Sequence, residues 1–80
     1  MDEIQKLFRK ISLHDRLMIE LALKQIFNRD FEKLNLMRLK GYSHIFRVRV
    51  GHFRIIYFDD GQEIILKAIK RRDESTYSDF

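Results

Sequence analysis

Apolar residues near the start of the chain recur at helical spacing. Ile4, Leu7, Phe8 and Ile11 follow the i, i+3, i+4, i+7 pattern of one buried helix stripe. The following segment 12–15 reads S-L-H-D, the form of a helix N-cap with a carboxylate three residues later. The pattern therefore predicts a first helix over roughly residues 3–11 and a second helix that begins at the cap.

The second predicted helix is apolar over a wide arc. It is predicted to stop near residues 28–30, where N-R-D favours turn conformations. Because only a short link around Ser12 separates the two helices, we expect an antiparallel αα-hairpin. One side of the second helix carries Leu13, Leu17, Met18, Leu21, Ala22 and Gln25, and Ile19, Leu23, Ile26 and Phe27 broaden the arc.

After Gly41 the hydrophobic period changes from helical to two, the period of a half-buried strand. Strands are predicted over 46–50, 53–58 and 63–69, with a strong turn signal, D-D-G, at 59–61. Residues 31–40 fit neither pattern and stay unassigned. The alternation in the last strand predicts one face with Ile64, Leu66 and Ala68 and another with Glu63, Ile65, Lys67 and Ile69.

These elements predict an α+β fold, an N-terminal helical hairpin packed on a small antiparallel β-sheet. A chain of 80 residues allows one domain, spanning 1–80. No apolar stretch has the length of a membrane span and no signal peptide is apparent, so we expect a soluble, cytoplasmic protein with no membrane partner. The absence of cysteine excludes disulfides and thiolate chemistry, and three histidines at unrelated spacings predict no metal site and no cofactor.

Charge is unevenly distributed along the chain. The formal net charge is +4, and residues 38–72 hold nine Lys and Arg against three Asp and Glu, while residues 1–37 are close to neutral. A basic half of this kind suits an anionic partner, most commonly a nucleic acid.

The predicted strands concentrate part of this charge on one surface. Arg47 and Arg49 share a face because residues two apart in a strand point the same way. Arg54 joins them if the hairpin register allows, and segment 70–72, K-R-R, brings more cations to the end of the sheet. Guanidinium groups bind phosphate in bidentate fashion, so the face predicts a polyphosphate site. An ordinary solvated sheet face is the alternative interpretation of the same residues.

Segments 39–41 and 45–57 carry the pattern L-x-G followed by R-x-R-x-G-x-F-R-x-x-Y. This pattern resembles the RelE/ParE superfamily of type II toxins. The likeness extends over roughly residues 3–77, with segment 70–77 as the basic closing stretch that ends in Tyr77. Family members usually open with a strand before the helical hairpin, and this sequence is expected to lack it.

The resemblance favours the RelE-like branch, in which the toxin cuts messenger RNA in the ribosomal A site without a metal ion. It implies catalytic roles for Arg49, Arg54, Arg71 and Tyr77. It also implies RNA contacts from Arg47, Arg49, Lys70 and Arg72, with Arg71 or Arg72 as the basic residue after the last strand. Because arginine stays protonated, proton transfer falls to Tyr77, with His52, His44 and Glu74 as alternatives.

The resemblance further implies partners: a cognate antitoxin in a hetero-oligomer, the ribosome and messenger RNA. Two other functions stay open. One is inhibition of DNA gyrase, as in the ParE-like branch, and the other is a toxin relic that has kept the fold and lost its activity.

Overall fold

The computed structural model describes residues 3–71, and its two helices pack on a four-stranded antiparallel sheet. The helices are α1 (Glu3–Lys10) and α2 (Leu13–Phe27). The strands are β1 (Asn35–Arg38), β2 (Ile45–Val50), β3 (Phe53–Asp59) and β4 (Ile64–Arg71). The sheet order is β1-β2-β3-β4, a meander in which each strand pairs with the next. The predicted α+β class is confirmed.

The helical hairpin follows from local signals. The Ser12 side chain accepts a hydrogen bond of 3.1 Å from the Asp15 backbone N–H, so Ser12 caps α2 as predicted. At the other end Asn28 is the C-cap and Arg29 has a φ of 58°, a left-handed conformation that ends the helix. The first described element is α1; within residues 3–71 no strand precedes it.

The core lies between the helices and one face of the sheet. α1 lies against β4 and α2 against β2. The buried core side chains are Ile19, Ala22 and Ile26 from α2 and Val48, Phe53, Ile55, Tyr57 and Ile69 from the strands. The side of α2 that packs on the sheet is therefore not the side that carries Leu13, Leu17 and Leu21, which are exposed. Both sides are apolar in sequence, so periodicity alone does not distinguish them.

Residues 31–40, which fit neither period, contribute a strand. β1 pairs with β2 in the register Leu36↔Val48, so Leu36 reaches the core face although its neighbours in the strand are exposed. A four-residue edge strand with one inward side chain is too short to give a clear alternation.

The predicted faces of the last strand are wrong. The register shifts between Ile56↔Ala68 and Tyr57↔Leu66, which leaves Lys67 as an extra residue in β4. Ile64 and Leu66 pack with Ile69 at the core, whereas Ala68 pairs with Ile56 on the opposite face. A bulge of this kind reverses the alternation of inward and outward side chains beyond it. No residue in the β4 sequence I-I-L-K-A-I-K-R indicates the bulge.

Among residues 3–71 no helix is long and apolar enough to cross a membrane.

Candidate phosphate-binding face

The face of the sheet that points away from the helices carries a row of cations across three strands. Arg49 on β2 is directly opposite Arg54 on β3, and Arg54 is directly opposite Lys70 on β4. Direct cross-strand partners have Cβ atoms about 4.5–5.5 Å apart and share a face. We call the surface formed by Arg47, Arg49, Arg54 and Lys70 the basic face.

The basic face continues one row further along the sheet. Arg47 lies two residues from Arg49, and its cross-strand partners are Met37 on β1 and Ile56 on β3. Beyond it, Ile45 pairs with Phe58, so the surface changes from cationic near the β2–β3 turn to apolar at the far end. Ile45 and Ile56 are buried, however, so the apolar end of this face exposes little area.

Two of the guanidinium groups are buried. Arg47 and Arg54 are each only 6% exposed, whereas Arg49 is exposed. Arg47 Nη2 lies 3.6 Å from the Met37 sulfur, which is a weak acceptor, and Arg47 Nε has no hydrogen-bond partner within the described chain. Because burial of a charged group is costly without good hydrogen bonds, an acceptor that reaches Arg47 Nε would offset part of the cost of burying this guanidinium.

Carboxylates are almost absent from the strands. The only Asp or Glu in β1–β4 is Asp59, at the end of β3. It is bound by Arg29, whose Nη1 donates to both carboxylate oxygens at 3.0 Å. No acidic side chain of the four described strands is therefore positioned among the cations of the basic face.

Arg71 lies on the other side of the sheet. Its cross-strand partner is Phe53, a core residue, and its guanidinium carbon lies 5.4 Å from the centre of the Phe53 ring. Arg54 and its partner Lys70 point to the opposite face. The structure thus brings Arg47, Arg49, Arg54 and Lys70 together and separates Arg71 from them, while Arg72 and Tyr77 lie outside the described residues.

Two of the histidines considered for proton transfer lie at opposite ends of the sheet. His52 is in the β2–β3 turn, next to the row of Arg49 and Arg54. His44 precedes β2 and makes an edge-to-face contact with Phe58, with ring centres 5.8 Å apart. Glu74, like Tyr77, lies outside the described residues. His52 therefore adjoins the end of the sheet that carries Arg49 and Arg54, whereas His44 adjoins the end that carries Ile45 and Phe58.

Tyr57, the last residue of the R-x-R-x-G-x-F-R-x-x-Y pattern, belongs to the core. Its ring stacks with those of Phe31 and Phe46, whose centres lie 6.4 and 5.6 Å away. Burial, with a smaller contribution from Asp59 and an opposing one from Arg29, raises the pKa of Tyr57 to about 12. Tyr57 therefore stays neutral at working pH and serves packing rather than proton transfer.

The sequence analysis missed two neighbours of the basic face. Asn35 is the cross-strand partner of Arg49 and Met37 that of Arg47, because β1 forms the edge next to β2. No clear sequence signal marks them, because β1 has four residues and only Leu36 points inward. Within residues 3–71 no group of three His, Asp or Glu side chains could hold a metal ion.

Comparisons with known proteins are in keeping with this architecture. No family model matches the chain. A protein of Methanocaldococcus jannaschii named "Putative toxin RelE1" is 43% identical over 44 residues, which cover 52% of this chain and 49% of that protein. The match therefore spans about half the length of the relative.

A solved structure extends the likeness to the fold. The crystal structure of a RelB–RelE antitoxin–toxin complex from Methanococcus jannaschii superimposes with a TM-score of 0.68 and 29% sequence identity, covering 80% of this chain and 78% of that one. These findings support the RelE side of the predicted resemblance and do not confirm the ParE side. In sequence and in fold, the chain is RelE-like.

Proposed function

We propose that this chain is the toxin of a type II toxin–antitoxin system and that it cleaves messenger RNA in the ribosomal A site. The observation that carries the proposal is the basic face, with Arg49, Arg54 and Lys70 in one row and no strand carboxylate among them. The likeness to RelE1 and to the toxin of the RelB–RelE complex supports the choice of function. It also supports an antitoxin as the cognate partner, in the cytoplasm where ribosomes and messenger RNA are found.

The proposed reaction is attack of a ribose 2′-hydroxyl on the adjacent phosphate. The new bond joins the 2′-oxygen to phosphorus, and the bond from phosphorus to the 5′-oxygen of the next nucleotide breaks. A 2′,3′-cyclic phosphate is left on one fragment and a 5′-hydroxyl on the other. The hydroxyl proton passes to a base and the leaving oxygen receives a proton, while negative charge grows on the phosphate oxygens between these events.

The cations of the basic face suit this charge. Arg54 is in the middle of the row, buried, with a cation on each side. We propose that its guanidinium binds the phosphate oxygens as their charge grows. Arg49 and Lys70 flank it and would hold the same phosphate or its neighbours, and Arg47 would bind a phosphate one row away. Lys70 takes the position that the resemblance assigned to Arg71, because the β4 register turns Lys70 to this face.

The proton carriers are assigned by resemblance alone. Tyr77 is proposed as the residue that shares in proton transfer or stacks on a base, and Arg72 as an RNA contact. His52, next to the cationic row, is the described residue whose imidazole could replace Tyr77 in proton transfer.

The test is inducible expression in bacteria with primer-extension mapping of messenger RNA ends. We expect growth arrest with new ends inside translated codons, and loss of both effects in Arg54→Ala. Arg9→Ala, which removes an exposed cation from α1 on the helix side of the sheet, is the matched control and should arrest growth like the parent. Arrest with DNA breaks and intact messages would point to gyrase instead, and no arrest would point to a relic.

A further inference from the structure

Helix α2 presents an apolar stripe to solvent. Leu13, Leu17 and Leu21 are 68%, 55% and 58% exposed, and they lie four residues apart on three successive turns. The opposite side of the helix, with Ile19, Ala22 and Ile26, is buried in the core. Three aligned leucines on an otherwise ordinary surface helix are typical of an interaction site rather than of scattered exposure. We call them the leucine stripe.

One edge of the leucine stripe carries two opposite charges. Arg16 Nε donates to a Glu20 carboxylate oxygen at 3.2 Å, and both side chains are about half exposed. The Arg16 guanidinium carbon lies 5.7 Å from the centre of the Phe8 ring of α1, which holds the guanidinium beside the stripe. A guanidinium has five N–H donors, so further donors of Arg16 are available to a second acceptor.

We propose that the leucine stripe packs against the same stripe of a second copy of this chain, with the two α2 helices antiparallel. When a two-fold axis passes beside Leu17, the Leu17 side chains of the two copies meet each other. Leu13 of each copy then meets Leu21 of the other, since both lie four residues from the centre. Side chains spaced four apart form the ridges that pack at a crossing angle of about −50°.

The edge charges fit the same symmetry. A two-fold axis brings the same edge of both stripes together, so the two copies contribute two arginines and two glutamates to one cluster. In the antiparallel arrangement Arg16 is displaced from Glu20 of the second copy by two residues, about 3 Å along the helix at 1.5 Å per residue. Each arginine can thus reach a glutamate of the other copy. The two arginines are displaced from each other by the same two residues, so two Arg–Glu attractions act against one Arg–Arg repulsion, and the cluster is neutral.

The self-complementary pair of Arg16 and Glu20 is the reason for choosing a second copy as the occupant. α2 contains Asp15, Arg16, Glu20 and Lys24, so its formal charge is zero and it does not select for a strongly acidic or basic partner. The apolar area of three leucines is smaller than the roughly 800 Å² that each partner contributes to a stable interface. We therefore infer a weak, concentration-dependent dimer. The inference does not depend on the proposed toxin function.

Two charge-reversal variants test the pairing. Arg16→Glu gives a stripe edge with two acids and Glu20→Arg gives one with two bases. We expect sedimentation equilibrium to show that the parent dimerises with increasing concentration and that each variant alone does so at least ~10-fold more weakly. An equimolar mixture of the two variants should recover dimers that contain one copy of each, because all charges across the edge are then opposite.

The controls separate pairing from folding and from total charge. Lys33→Glu changes the net charge as much as Arg16→Glu does, in a loop outside α2, and should dimerise like the parent. Circular dichroism of each variant checks that α2 is intact, and Leu17→Lys should lose the dimer without loss of helix. A parent that stays monomeric at every concentration, or a variant mixture that forms no mixed dimer, would overturn the proposal. A monomer whose leucine stripe instead binds a helix of the antitoxin would overturn it as well.

Discussion

Two guanidinium groups directly opposite each other in a sheet repel, and the repulsion opposes folding unless an anion lies between them. Arg49 and Arg54 are in this arrangement, and Lys70 extends it on the next strand. Like charges at directly opposite positions destabilise a strand pair by an amount comparable to the roughly 0.2–1 kcal/mol gained from opposite charges. A phosphate bound beside these cations would reduce their mutual repulsion further.

Removing the exposed member of the row should stabilise the free protein. We expect Arg49→Ala to raise the free energy of unfolding at low salt by about 0.2–1 kcal/mol, because it removes repulsion without opening the core. The gain should shrink at high salt, and RNA affinity should fall. Urea unfolding at two ionic strengths measures the effect, with Arg9→Ala as the control that changes stability little. Destabilisation by Arg49→Ala at low salt would show that the row is not strained.

The hydroxyl of Tyr57 should make stability fall at high pH. The folded-state pKa is raised to about 12 from the ordinary value of 10, so the unfolded chain loses this proton first. The contribution of this group is therefore complete below pH 10 and is lost as pH rises from 10 towards 12. Chemical unfolding across this range should show a steeper decline for the parent than for Tyr57→Phe. Parallel curves would mean that Tyr57 ionises equally in both states.

At the scale of elements, the features that could be predicted are those that depend on residues close together in the sequence. The start and end of α2 depend on residues within one turn of each end, Ser12 and the pair Asn28 and Arg29, and both were correct. The three longer strands were found from alternation. Two other features depend on distant partners. The side of α2 that packs on the sheet is not evident from its sequence, because α2 is apolar on both sides. The faces of β4 are not evident either, because a bulge at Lys67 shifts the register.

In the candidate site too, some features follow from the local sequence and others depend on pairing between distant segments. Arg47 and Arg49 could be placed on one face from the period of two, whereas Arg54 joins them because of the hairpin register, which pairs Arg49 with Arg54. Which of Lys70 and Arg71 shares a face with Arg54 depends on the pairing of β4 with β3, which no single segment contains. Met37 and Asn35 entered the site through β1, which was too short to recognise.

The N-cap prediction can be measured directly. Ser12→Ala removes the hydrogen bond from the Ser12 side chain to the Asp15 N–H and should lower the free energy of unfolding by about 1 kcal/mol. Ser43→Ala is the matched control, since Ser43 is exposed in the loop before β2 and should change stability little. Equal stability of the two variants would show that the cap contributes nothing to the folded state.

For the whole molecule, the two proposed interaction surfaces, the basic face and the leucine stripe, lie on opposite sides. The helices cover one face of the sheet and form the core with it, and the other face carries cations towards one end, of which Arg49 is exposed and Arg47 and Arg54 are buried. The leucine stripe is on the solvent side of α2, and α2 packs on the face of the sheet opposite to the basic face. The two proposed interactions, RNA binding and self-association, would therefore use opposite sides of the protein.

The central claim is that the basic face cuts messenger RNA on the ribosome, and the most direct test uses purified components. Ribosomes carrying a defined message are incubated with the purified chain, and the 5′ ends of the RNA products are mapped. We predict cleavage within the A-site codon, reduced at least ~100-fold by Arg54→Ala and strongly by Lys70→Ala, since charge stabilisation by a single positioned donor is of this size. Arg71→Ala and Arg9→Ala should cleave like the parent. Loss of cleavage in Arg71→Ala with full activity in Lys70→Ala would move the site off the basic face, and no cleavage by the parent would contradict the proposed function.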